Sequence, residues 1–397
     1  MRGKEYLLLA LTVSWLGAAA GAAPPPRFDV EALEADVPSA AALSPRARKA
    51  EAMANLRSLW AAPAPATTPK TVIVDCTKGD SLQKAIDSAQ DDTVIEVRGL
   101  CNENVQIHRK RLTLHGLDPA TDGVRGTAPV APAVAAVHVW YSVGVHVENL
   151  SFSDTSPGGV GLAAGYSTIT AHNCRMAGSS SNGVRVSLSS VFIGTEVTLA
   201  DSGGAGLLVQ RNSQAFCTGC RLENNAGFAA DARFGSLLTL LDGVVTGNRG
   251  LRASTESYAD IDCVTEDTAY PCSLNVTGTA GFAIGQSTVS PYGAGPFAGR
   301  LVAFDRGEIY VYGAQQTSTG PNNTFEHFST LVVEQAFETG EQGQLKGHTQ
   351  VSGFSRALLR DATTVDGTLA CDSAGDAWKD AGVTVTGGPV TGCEHVP

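Results

Sequence analysis

Ser167, Ser190, Ser213 and Ser236 stand 23 residues apart, and each opens a similar unit. SVFIGTEVTLADSGGAGLLV at 190–209 is followed by SQAFCTGCRLENNAGFAADA at 213–232 and SLLTLLDGVVTGNRGLRA at 236–253. Apolar positions align down the units: Ile169, Phe192, Ala215 and Leu238; then Met176, Leu199, Leu222 and Val245; then Val184, Leu207, Phe228 and Leu251. A turn glycine recurs at Gly183, Gly206, Gly227 and Gly250. Each unit holds three short alternating runs and no helix. Such a unit cannot bury its apolar face alone, whereas stacked units can, so the period defines a solenoid. Every strand then pairs with the strand above and below at about 4.8 Å. Leucine-rich repeats share this period, but their regular leucine pattern is absent. Composition agrees: 44 glycines and only 17% charged residues suit tight turns between short strands rather than helical bundles.

The start of the chain reads as an export signal over residues 1–22. Arg2 and Lys4 precede the apolar run YLLLALTVSWLG, and Ala20-Gly21-Ala22 forms a small-residue cleavage site. That run is too short to span a bilayer comfortably, and no second long apolar segment follows. The mature chain, from Ala23, is expected to be soluble and secreted or periplasmic, with no membrane span. Residues 23–70 form a lead-in, with linker-like PPP and APAPATTP around SPRARKAEAMANLRSLW. Ser44 caps that segment, Pro45 opens it, and Met53, Leu56 and Trp60 share a face, which predicts a docking helix. Residues 71–397 are the solenoid domain. Nine cysteines fit an oxidising compartment. Local pairs are expected for Cys76–Cys101, Cys263–Cys272 and Cys371–Cys393. Cys174, Cys217 and Cys220 are left over. The stretch CTGC lacks the partners of a zinc site or a redox fold, so a core or disulfide role is expected for these three.

A solenoid ends in an open layer of strand edges and apolar side chains, which something must cover. In SLQKAIDSAQ, Leu82, Ala85, Ile86 and Ala89 lie at helical spacing behind Ser81 as N-cap. This helix is expected to be the N-terminal lid, with TVIEV as the first strand. The lid followed by TVIEVRGLCNENVQIHRKRLTLHG, with the repeats, resembles the right-handed parallel β-helix proteins of the pectin lyase-like superfamily, over roughly residues 71–395. It is similar to the exported bacterial repeat proteins of that fold. The resemblance implies an all-β right-handed parallel β-helix with an N-terminal capping helix. Pectin methylesterases begin with a G-x-Y-x-E frame; Gly99, Cys101 and Glu103 occupy it here, with cysteine in place of the aromatic. The end, TVDGTLACDSAGDAW, suits the terminal coils. The catalytic motifs of methylesterases, lyases and polygalacturonases are absent, and the adjacent Asp91-Asp92 lie between lid and strand without their partners.

Candidate site residues follow from alternation along the aligned strands. With Val184, Leu207, Phe228 and Leu251 inward, Arg185, Leu208, Ala229 and Arg252 turn outward. Two residues on, Ser187, Gln210, Asp231 and Ser254 also face out. Arg185, Gln210, Asp231 and Arg252 are therefore expected to share a substrate-binding groove across four coils. Asp231 is the candidate acid/base or Ca²⁺ ligand, and Arg185 and Arg252 the candidates for carboxylates or sugars. A second cluster, YADIDCVTEDTAYPC, holds Asp260, Asp262 and Glu266 beside a disulfide loop and is a weaker Ca²⁺ candidate, without EF-hand spacing. Trp140, Tyr141, Tyr292, Tyr310 and Tyr312 have faces suited to sugar rings. The histidines, among them His138, His146 and His172, form no Ser-His-Asp pattern. At net charge −11 and with no basic stripe, nucleic acid is not an expected partner. The expectation is recognition of a polysaccharide or cell-surface glycan on a lateral face without catalysis. The alternatives are a polysaccharide lyase or glycoside hydrolase with an unrecognised site, or a structural or adhesive surface role.

Overall fold

The computed structural model describes residues 69–127, 135–247 and 250–254, and shorter stretches of 257–393. The described strands wind as parallel coils, with three short strands each in the coils up to Glu223 and mostly two further along. One coil runs through Val184–Ser187, Val191–Thr195 and Thr198–Ala200, and the next through Leu207–Gln210, Gln214–Thr218 and Arg221–Glu223. These strands pair one for one with those of the next coil, so the coil has three faces. Alternation sends one side chain of each pair inward. Ile169, Phe192, Ala215 and Leu238 are in register, as are Met176, Leu199, Leu222 and Val245, and all are buried. These two ladders are as the repeat predicts.

The third ladder differs. Ala230, not Phe228, stands in register between Leu207 and Leu251. The spacing is 23 residues from Leu207 to Ala230 and 21 from Ala230 to Leu251, so counting 23 back from Leu251 lands on Phe228, two residues early. Phe228 instead lies half-buried before the strand, under the Arg252 guanidinium at 4.3 Å.

The repeating serines are buried and bonded coil to coil. The Ser167 N–H donates to Ser190 Oγ at 3.1 Å, Ser190 to Ser213 at 3.2 Å, and Ser213 to Ser236 at 3.3 Å. The Oγ of Ser190 donates in turn to the Ser187 carbonyl at 2.6 Å. The hydroxyl thus satisfies two backbone groups at a corner where the sheet ladder is interrupted.

Helix α1, Leu82–Ser88, buries Leu82 and Ile86 on the first coils, with Ala85 and Ala89 against the same core. Ser81 caps it as expected, accepting from Lys84 N–H. A strand precedes it: Thr71–Asp75 pairs with Thr93–Arg98, so TVIEV is the second strand and not the first. At the other end, Thr364–Cys371 stacks on Gln344–Val351. Disulfides join Cys76 to Cys101 and Cys371 to Cys393, as the spacing predicts. Cys217 and Cys220 form a third, bridging the corner at Gly219, and Cys174 is a buried free thiol that burial pushes up to about 11. Residues 1–22, the helix predicted over 44–60, Cys272, Glu266 and Tyr292 lie outside the described residues.

Candidate functional site

The face built from Ala135–Trp140, Val160–Gly165, Val184–Ser187 and the strands below them carries two outward rows. One row runs His138, Ala163, Arg185, Leu208, Asp231 and Arg252 in register. The second runs from Trp140 over Gly165 and Ser187, and further down pairs Gln210 with Arg233 and Arg233 with Ser254. Gly165 has a specific reason to be glycine. The Trp140 indole lies across it, and a Cβ there would overlap the ring.

Beyond this face each coil turns through a left-handed residue. Arg109, Tyr141, Tyr166, Leu188, Arg211 and Phe234 occupy that corner in successive coils, with φ between 50° and 58°. The other two corners use mostly the residues that tolerate this conformation: Asn149, Asn173, Glu196 and Gly219 on one, Gly178, Asp201, Asn224 and Gly247 on the other. Left-handed backbone costs a residue with a bulky side chain roughly 1–2 kcal/mol. The first corner therefore carries large side chains against the backbone's preference. Tyr141, Tyr166 and Phe234 are 46%, 44% and 50% exposed. The two tyrosine rings stack in parallel at 4.9 Å, and Trp140 sets its edge against both at 5.5 and 5.6 Å. Arg109 lies over the outer face of Tyr141 at 5.8 Å.

Of the predicted site residues, Arg185, Asp231, Arg252 and Gln210 do share this face, but not as one open groove. Asp231 is only 1% exposed. Arg252 holds it through two bonds, at 2.9 and 2.6 Å, and Arg233 donates to it at 2.7 Å. Burial pushes the Asp231 carboxyl upward and Arg252 pulls it back. Two guanidiniums and the loss of water remove it as an accessible acid/base or Ca²⁺ ligand, and Arg252 is engaged with it. Asp231 also belongs to the row of Arg185 and Leu208; Arg233 takes the place predicted for it beside Gln210. Arg185 is the exception. It is half-buried, and no described carboxylate pairs with it. Its guanidinium is depressed by burial and by the nearby charge of Arg211. The imidazole of His138 is lowered to about 4 by burial and by Arg185.

The remaining candidates separate. Asp260 is in register with Thr239 and Ala283, and Asp262 with Gly285, along Tyr258–Val264. Tyr310 and Tyr312 lie in Glu308–Tyr312. His115 and His172 pair with Glu148 and Glu196 on another face, at 3.4 and 3.7 Å. The ligand atoms of Cys76, Cys101 and Glu103 cluster, but both sulfurs are consumed in a disulfide and Glu103 caps α1. No described helix is long and apolar enough to cross a membrane. Trp140 and Tyr141 are among the aromatics the sequence points to, but their left-handed corner and the stack with Tyr166 are what sequence reasoning missed. The recurrence of Tyr141 and Tyr166, each directly before a buried serine whose N–H donates to the serine of the next coil (Ser142 to Ser167 at 3.0 Å, Ser167 to Ser190 at 3.1 Å), is its signal in the sequence.

Residues 135–288 match the family model described as the right handed beta helix region. The fold is that of a right-handed parallel β-helix. Solved structures similar to this β-helix include a pectin methylesterase bound to a hexasaccharide, at 13% identity over 62% of this chain and 80% of that one, with a TM-score of 0.35. A mannuronan C-5 epimerase A-module from Azotobacter vinelandii aligns at 13% identity over 80% of this chain and 99% of its own, with a TM-score of 0.34. The catalytic unit of an α-1,3-glucanase from Streptomyces thermodiastaticus aligns at 16% over 84% and 69%, with a TM-score of 0.32. No curated protein matches the chain. Fold alone does not assign chemistry.

Proposed function

We propose that this β-helix binds a polysaccharide along the aromatic corner without cleaving it. The observation that carries the reading is the corner itself: Tyr141, Tyr166 and Phe234 are exposed at positions where asparagine or glycine would strain the backbone less. The exposed aromatic surface of the corner offers apolar contact to sugar rings, and a solenoid repeats such a surface along a line. The acid/base candidate Asp231 is covered, which supports binding over cleavage at this face.

The test uses the double variant Tyr141→Asn/Tyr166→Asn, whose new residues suit left-handed backbone. Retardation of the chain in gels containing each of a panel of neutral and acidic polysaccharides gives affinity. Reducing ends and unsaturated products are assayed in parallel. The expected result is retardation by at least one polymer, weakened about tenfold or more in the variant at unchanged melting temperature, with no new chain ends. Retardation that ignores the variant, or none across the panel, overturns the reading and favours a structural or adhesive role. Catalytic release of chain ends overturns its non-catalytic part.

A further inference from the structure

Resting on the reading that this corner binds polysaccharide, we infer that the polymer is acidic: Arg185 and Arg211 together receive a carboxylate or sulfate of a sugar held against Trp140 and Tyr166. Arg98 pairs with Glu96, Arg111 with Asp92, Arg175 with Asp201, and Arg221 with Glu223. Arg233 and Arg252 share Asp231, and Lys110 donates to helix carbonyls. Arg109, Arg125, Arg185, Arg211 and Arg356 have no acidic partner among the described residues, and of these five only Arg185 is half-buried while the others are exposed. Arg211 stands at the left-handed corner three residues beyond Leu208, the register partner of Arg185 in the adjacent coil, and its charge acts on Arg185.

A half-buried guanidinium facing the charge of a second one is repelled by it and has lost part of its hydration. Nothing described in the chain offsets this. The next carboxylate along the row is Asp231, two coils from Arg185 in register, about 10 Å away, and already saturated. An external anion is the group that the arrangement lacks, and a planar fork matches a carboxylate or sulfate in two parallel bonds. The position is also right for a sugar acid. Arg185 is one coil beyond Gly165 and the overlying Trp140, and Tyr166 follows Gly165 at the corner. Ring platform and cation are thus separated by about 5–10 Å, the scale of one or two sugar residues. The overall charge of −11 opposes a polyanion at long range, so selectivity for acid must come from such a local contact.

The probes are polygalacturonate, the same polymer with its carboxyls reduced to alcohols, chondroitin sulfate, neutral dextran and oligo(dT). Wild type, Arg185→Gln, Arg185→Lys, Arg211→Gln and Tyr166→Asn are compared as full chains by gel retardation, with melting temperature as the control for folding. Wild type is expected to bind at least one acidic polymer about tenfold or more tightly than the reduced polymer and dextran. Arg185→Gln and Arg211→Gln should remove that preference and leave the weak binding of the reduced polymer unchanged. Arg185→Lys should restore only part, and Tyr166→Asn should weaken both polymers. If both arginine variants keep the preference while Tyr166→Asn loses binding, the acidic assignment fails and the polysaccharide reading stands. Equal binding of acidic and reduced polymers by wild type has the same consequence. Binding of oligo(dT) as tight as that of the best glycan overturns both.

Discussion

Asp231 is where a single side chain decides between two accounts of the lateral face. A carboxylate at 1% exposure held by two arginines is a structural pair, and breaking it strands both guanidiniums. Asp231→Ala should therefore cost about 3–5 kcal/mol of folding stability, read from the denaturant midpoint. A loss under about 1 kcal/mol would mean that water reaches the pair and that the site is more open than described. His138 gives a second expectation at this scale. Its imidazole titrates near 4 when folded, against 6.5 ordinarily. Between these values the unfolded chain binds a proton that the folded chain refuses, so stability falls as pH drops through that window and rises as pH increases. His138→Gln should flatten this part of the stability profile; an unchanged slope would place its origin elsewhere. The environment of neither residue is legible in the sequence. Phe228 outweighs Ala230 in hydrophobicity, so alternation alone sets the inward position two residues early, and the shortened coil that follows leaves no mark except in the completed register. Asp231 and Arg252 then look like two separate outward charges rather than a pair.

The lid helix shows the opposite case, an element legible almost in full. Ser81 as cap and the spacing of Leu82, Ala85, Ile86 and Ala89 suffice to find it, because amphipathic periodicity and capping are local signals. Its anchoring is not local. Seven residues are too few to hold a helix in water unaided. Glu103 accepts from the Leu82 N–H at 2.6 Å and from Ser81 Oγ at 3.1 Å, placing negative charge at the helix start. Lys110 donates to the carbonyls of Ile86, Asp87 and Ala89 at 2.7–2.8 Å, placing positive charge at its end. The glutamate of the G-x-Y-x-E frame thus has a structural duty here. Glu103→Ala and Lys110→Met should each cost about 1–2 kcal/mol and speed hydrogen exchange at the Ala85 and Ala89 amides. Exchange at Val184 and Val186 should be unaffected. Equal acceleration at both places would mean that the lid and the distant coils open as one unit.

Along the described part of the molecule, each coil pairs with the coils beside it, so stability is a sum of contacts between adjacent coils and is weakest where a coil has one neighbour. Both ends are bolted. Cys76–Cys101 ties the stretch before the lid to the first coils, and Cys371–Cys393 ties the last segment to Thr364–Cys371. Each closes a loop of a little over twenty residues and is worth about 3 kcal/mol by restricting the unfolded chain. The centre relies instead on the serine ladder. Ser190→Ala would orphan the buried Ser167 N–H and the Ser187 carbonyl, at about 1–3 kcal/mol. These two devices predict different spatial patterns of opening. With Cys76→Ser/Cys101→Ser and Cys371→Ser/Cys393→Ser, hydrogen-exchange protection should fall first in Thr71–Asp75 and Thr364–Cys371, while the coils over 184–223 stay protected. With Ser190→Ala, protection should fall around Ser167 and Ser190 while both ends hold. The ladder is legible in the 23-residue serine spacing itself, since only a position repeated in register needs the same side chain in every coil. If both sets of variants instead lower protection evenly along the chain, the β-helix opens as a single cooperative block, and the nearest-neighbour description of its stability is wrong.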